Sequence, residues 1–176
     1  MLGFRETMRS MSTIQPCPLP SNALLNKYSI DGAFTDCYAV EVDGVFTHAQ
    51  YVTAFYTTAL FGLERFILRW AVSRPSTDDE VKQLAAGARD TFAAWHVEAR
   101  SENQLLMCDF QRRTRSWLMV APIDGGTRLY FGSAVVAKKN AATGALTLGV
   151  AFRALLGFHK LYSRLLLGAA AAKLKK

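Results

Sequence analysis

Residues 146–172, LTLGVAFRALLGFHKLYSRLLLGAAAA, constrain this chain more than any other stretch. The spacing predicts one long helix. Arg153, Lys160 and Arg164 fall on a single narrow stripe. Leu148, Ala151, Leu155, Phe158, Tyr162, Leu165 and Leu166 cover the opposite side. A helix apolar around most of its circumference needs a broad cover. The strand-rich region just before it is the natural one.

That region reads as a meander. Segments 92–100, 104–111, 115–122 and 127–136 have strand character. Turns separate them at Glu102-Asn103, near Arg112-Arg113, and at Asp124-Gly125-Gly126. Connections this short require antiparallel neighbours. An earlier strand, 36–43, alternates: Cys37, Ala39 and Glu41 face one way, Tyr38, Val40 and Val42 the other. It ends at Asp43-Gly44.

One or two helices are expected between that strand and the meander. Thr47 and Gln50 have the spacing of a capping box, as do Thr77 and Glu80. Val52, Tyr56, Leu60, Leu63, Ile67 and Trp70 recur at threes and fours, with Gly62 as a point of bending or division. Residues 1–35 contain Pro16, Pro18 and Pro20 and predict an arm lying on the domain. The expected organisation is an arm over 1–35, a single domain over 36–172 and a basic tail over 173–176. The fold class is α+β: a curved antiparallel sheet wrapped around a long C-terminal helix. A cone-shaped α+β barrel of the nuclear-transport-factor type is the alternative, but it does not end on a long apolar helix.

Length and charge narrow the function. A chain of 176 residues, 51% hydrophobic and 20% charged, is a globular domain with room for a core. Its net charge of +7 is uneven. Residues 1–124 carry 12 basic and 14 acidic side chains, net −2; residues 125–176 carry nine basic and none acidic, net +9. No RNP, helix-turn-helix or zinc-finger pattern accompanies the positive half, so nucleic acid is not the expected partner. Weak contact with an anionic membrane surface through the C-terminal region remains a reading, as does a homodimer through 51–70. Cys17, Cys37 and Cys108 lack metal spacing and read as reduced thiols in a cytoplasmic protein. No signal peptide is evident in 1–10, and Met1 and Met11 are both candidate starts. The uncharged window 51–63 is shorter than the ~20 residues a membrane span needs.

The catalytic patterns are missing. There is no G-x-S-x-G, H-E-x-x-H, P-loop or dinucleotide glycine fingerprint. No metal and no cofactor are expected. If Glu102-Asn103 form the hairpin turn, Trp95, Val97 and Ala99 share a face with Leu106, Cys108 and Phe110. Arg115, Trp117 and Met119 extend that face through the next turn. Being the more apolar, it is assigned to the helix and to a cavity. The same register sets His96 across from Asp109, beside Glu98, a grouping that on a solvated sheet face is ordinary charge pairing. Either Tyr130 or Phe131 points inward.

Residues 152–160, FRALLGFHK, are similar to the aromatic, spacer, Phe-His segment of a bacterial subgroup of the START and Bet v 1-like (SRPBCC) superfamily. The order of elements over 36–172 resembles the helix-grip fold of that superfamily. The segment 111–116, QRRTRS, departs from the His-containing sheet segment of the subgroup. The resemblance implies an apolar pocket for a lipid or aromatic compound. Some members cyclise polyketides, so a cyclase or dehydratase is the enzymatic alternative. Together with the register, it makes Trp95, Phe110, Arg115, Trp117, Met119 and His159 the candidate ligand-binding residues. A cavity above ~300 Å³ is expected of such a site.

Overall fold

The computed structural model describes residues 13–31, 33–62, 76–136, 138–139, 146–147 and 150–176. The chain begins with a two-residue strand, β1 (Gln15–Pro16), and a short helix, α1 (Asn26–Ile30). Strand β2 (Phe34–Asp43) and helix α2 (His48–Tyr56) follow. Helical conformation resumes over 59–62. Helix α3 (Asp78–Ala85) precedes β3 (Thr91–Phe92), β4 (Trp95–Ser101), β5 (Gln104–Asp109), β6 (Thr114–Ile123) and β7 (Gly126–Val135). The two-residue strands β8 (Lys138–Lys139) and β9 (Leu146–Thr147) lead to α4 (Val150–Leu174).

The fold is α+β. Seven strands form one antiparallel sheet in the order β1-β2-β7-β6-β5-β4-β3, and β8 pairs with β9. Helix α4 packs on α2, β2 and β7. Both capping boxes are present: the Thr47 hydroxyl accepts from Gln50 N and the Thr77 hydroxyl from Glu80 N, each returned by the glutamine or glutamate side chain. Helix α2 ends at Tyr56 with Thr57 as its cap, not at Gly62. Its Thr57 and Thr58 hydroxyls donate to the Thr53 and Phe55 carbonyls, offering the backbone an alternative to another helical turn. Leu63, Ile67 and Trp70 lie outside the described residues.

The terminal helix is shorter at its start than 146–172 predicts, because Leu146–Thr147 is a strand. It runs on through Lys173, whose ammonium donates to the Thr57 carbonyl and hydroxyl, so Lys173 is part of the packed helix. Leu148 lies outside the described residues. Within 157–176 the buried arc is narrow: Ser163, Leu166, Leu167, Ala170 and Ala171 face the protein. Phe158, Leu161 and Leu165 are 64%, 56% and 52% exposed, so the helix is not enclosed around its apolar circumference.

The sheet is covered on both faces. On one lies a core of Tyr38, Val40, Val42, Leu105, Met107, Leu118, Leu129 and Phe131, sealed by α2, α3 and α4. On the other, the arm lays Ala23 and Leu25 over Cys37, Leu106, Trp117, Met119, Tyr130 and Ala134. The expected inner face is therefore the arm face. The hairpin begins in the expected register, with Ser101 opposite Gln104 and Ala99 opposite Leu106. A bulge at Glu98 then shifts it, so Val97 pairs with Met107 and Trp95 with Asp109. One extra residue sends Trp95 and Val97 to the helix face, although Ala99 stays on the arm face.

Candidate functional site

Cross-strand pairing aligns Asp36, Ser133 and Ser116 in one row. That row adjoins Tyr38, Phe131 and Leu118, so polar groups interrupt an apolar face. Helix α4 brings His159 over it. The Ser133 hydroxyl lies 2.6 Å from Asp36 Oδ1 and 2.8 Å from His159 Nε2. Asp36 Oδ2 lies 3.4 Å from the same nitrogen, and Phe34 meets the imidazole edge-on at 6.5 Å between ring centres. Asp36 Oδ1 also accepts from Ser133 N.

Proton accounting assigns the roles. The carboxylate can only accept, so the single Ser133 hydroxyl proton goes to Asp36. His159 Nε2 must then carry the proton it shares with Ser133 Oγ. A serine nucleophile needs the reverse, an unprotonated nitrogen facing its hydroxyl. This group is an anchor that fixes the imidazole, not an acyl-transfer triad.

Beside it a cavity of about 140 Å³ opens between sheet and α4. Phe55, Tyr56, Phe61, Trp95 and Phe131 form its aromatic wall, and Ser133, His159 and Ser163 its polar edge. Phe55 and Phe131 stand 5.0 Å apart and Tyr56 and Phe61 4.8 Å apart, so the wall is a braced cluster. Ser163 is 1% exposed, and its hydroxyl has no hydrogen-bond partner among the described residues. The volume is under half the ~300 Å³ expected of a general ligand pocket.

A scan against protein-family models and a comparison with curated proteins find no match for this chain.

The six expected ligand-binding residues therefore divide. Trp95 and His159 border the cavity, and so does Arg115 from the strand at its rim. The Arg115 guanidinium is engaged on the arm face, where Nε donates to Glu98 Oε2 at 2.6 Å and to the Tyr28 hydroxyl at 2.7 Å. Nη1 donates to the Arg112 carbonyl at 2.7 Å. Lys27 and Tyr28 from α1 complete the cluster around Glu98. Burial works to raise the Glu98 carboxyl, but Lys27, Tyr28 and Arg115 outweigh it and hold it at about 2. Arg115 is 8% exposed, with Nε and Nη1 engaged by partners within the protein.

Trp117 and Met119 lie under the arm, away from the cavity. The Trp117 indole donates to Gln104 Oε1, which also accepts from Leu24 N, each at 2.9 Å. Gln104 Nε2 donates to the Asn22 carbonyl, so one buried amide stitches arm to sheet. Phe110 is 47% exposed at the β5–β6 turn and is not among the residues lining the cavity beneath α4. The His96, Glu98 and Asp109 grouping does not form. The bulge pairs His96 with Cys108, and Asp109 Oδ1 instead accepts from Arg113 N and Thr114 N in the turn.

Sequence reasoning missed Asp36, Ser133 and Ser163. Asp36 follows from the alternation of β2, which puts it on the side of Tyr38 and Val40. Nothing in the sequence distinguished the two serines. Among the described residues no three or more His, Cys, Asp or Glu side chains are grouped to hold a metal ion.

Proposed function

We propose that this chain is a helix-grip protein that binds one ring-sized hydrophobic molecule between sheet and α4. The reading rests on the cavity of about 140 Å³ with its aromatic wall. A space near 150 Å³ lined by apolar side chains is known to stay dry and take up benzene, so this one suits a single ring and not a lipid chain. The Ser163 hydroxyl, buried without a partner among the described residues, favours a ring bearing one hydrogen-bonding group. His159, fixed by Ser133, supplies a second polar contact at the same edge. The START and Bet v 1-like resemblance of 152–160 points to the same class of ligand. Native mass spectrometry of freshly purified protein tests the reading without choosing a ligand. A thermal-shift panel of toluene, phenol, indole and palmitate then ranks candidates. Stabilisation by the single rings and none by palmitate is expected; no shift with any ring at millimolar concentration defeats the proposal.

A second reading concerns the outer side of α4. Exposed Phe158, Leu161 and Leu165 adjoin exposed Lys160 and Arg164. Apolar side chains beside cations suit the surface of an anionic membrane. No helix among the described residues is long and apolar enough to cross one. Pelleting with vesicles containing phosphatidylserine, reversed by salt, is the expected outcome. Equal recovery with neutral vesicles removes this reading and leaves the cavity untouched.

A further inference from the structure

Two of the three cysteines stand side by side where the arm meets the sheet. Gln15 pairs with Ala39 and Pro16 with Tyr38, and Cys17 N donates to the Cys37 carbonyl at 3.0 Å. That register sets Cys17 opposite Cys37. Facing residues in an antiparallel pair have Cα atoms ~4.5–5.5 Å apart, within the range a disulfide spans. The sulfurs are already in contact, Sγ to Sγ 3.3 Å. Both line a groove of about 850 Å³ between the arm, β2 and α4, with Lys160 and Arg164 on its far wall. An oxidant therefore has access.

We propose that Cys17 and Cys37 are a reversible dithiol–disulfide site that locks the arm onto the sheet, with glutathione disulfide as the oxidant class. The two thiols divide the work by exposure. Cys17 is half-buried and Cys37 buried. Burial pushes the Cys37 thiol up, with the neighbouring Cys17 adding to the effect. Cys17 is therefore the attacking group. Its thiolate attacks one sulfur of glutathione disulfide, and a glutathione thiolate leaves. Cys37 gives its proton to solvent and attacks the Cys17 sulfur. The second glutathione leaves as a thiolate and takes up a proton. Two protein thiols are oxidised and one disulfide is reduced to two glutathiones.

The bond would close a loop between positions 20 residues apart and hold the segment that carries Leu25, Lys27 and Tyr28. Cys108 is the internal control. It is 1% exposed, and its thiol donates to the Asp109 carbonyl on the far side of the sheet centre from β1.

The test uses the full wild-type chain in glutathione buffers of stepped redox ratio. The expected result is an intact mass lower by about 2 Da, loss of labelling at Cys17 and Cys37, and Cys108 still labelled after denaturation. The melting temperature should rise by several degrees on oxidation and return with dithiothreitol. Cys37→Ser should stop at one glutathione on Cys17. Failure to oxidise, a persistent adduct on wild-type Cys17, a bond to Cys108, or a bond between chains each overturns the proposal.

Discussion

The two faces of the sheet solve the same packing problem differently. The arm face is filled around Trp117. Trp117 is fully buried, and Gly132 opposite it leaves room for the indole: a Cβ there would stand 2.9 Å from Trp117 Cε3 and 3.0 Å from Leu25 Cδ2. The helix face keeps a space, because its aromatic wall meets a polar row of Asp36, Ser133 and Ser116 that side chains from α4 only partly cover. A filled face stabilises, and a face with a hole can bind. The proposed ligand site lies under α4, and the tight packing around Trp117 lies under the arm.

Trp117→Ala attacks the filled face and should have the largest effect. It removes a buried indole and one of the two hydrogen bonds that Gln104 Oε1 accepts, so a loss of about 3–5 kcal/mol is expected in denaturant melts. Single-ring binding should survive in whatever fraction stays folded.

Acid should separate the faces by pH. His48, at the start of α2 on the helix face, is buried, and burial lowers its pKa to about 4 despite a hydrogen bond with the Leu118 backbone. Its Nε2 has no hydrogen-bond partner among the described residues. The unfolded chain takes up this proton near 6.5 and the folded one does not. Stability is thus complete above about 6.5 and falls toward pH 4, by about 3 kcal/mol. Glu98 on the arm face runs lower: its contribution is present above about 4.5 and is lost as pH falls toward 2. Urea melts from pH 7.5 to 3 should show the first loss, and His48→Gln should flatten it.

Gly132→Ala overfills the arm face and should cost about 1–3 kcal/mol, read from the same melts. The smallest effect belongs to the cavity. Ser163→Ala removes a buried hydroxyl that has no hydrogen-bond partner among the described residues, so stability should stay level or rise by up to about 1 kcal/mol. Phenol should then bind no better than toluene.

Legibility follows the range of the interaction. Capping boxes at Thr47 and Thr77 are local chemistry and could be read directly. The antiparallel meander and its hairpin turn at Glu102-Asn103 were legible for the same reason. The faces were not. Alternation identifies a side only when one side is wet, and here both are apolar, so Leu106 and Leu105 look equally like core. The bulge at Glu98 has no sequence signature, and it moved Trp95 without moving Ala99. The arm was read as lying on the domain, but Leu25 gave no sign that it would seal a second core. His159 became a candidate through the resemblance carried by 152–160. Its partner Ser133, on a strand of open parity, could be located only once the register to Asp36 was known.

Calorimetric titration of phenol into the wild type and into Ser163→Leu, which fills the space, tests the central claim most directly. One ring bound per chain, abolished in the variant with the melting temperature preserved, is the result predicted. Equal binding by both proteins, or none by the wild type, would contradict a ligand site beneath α4.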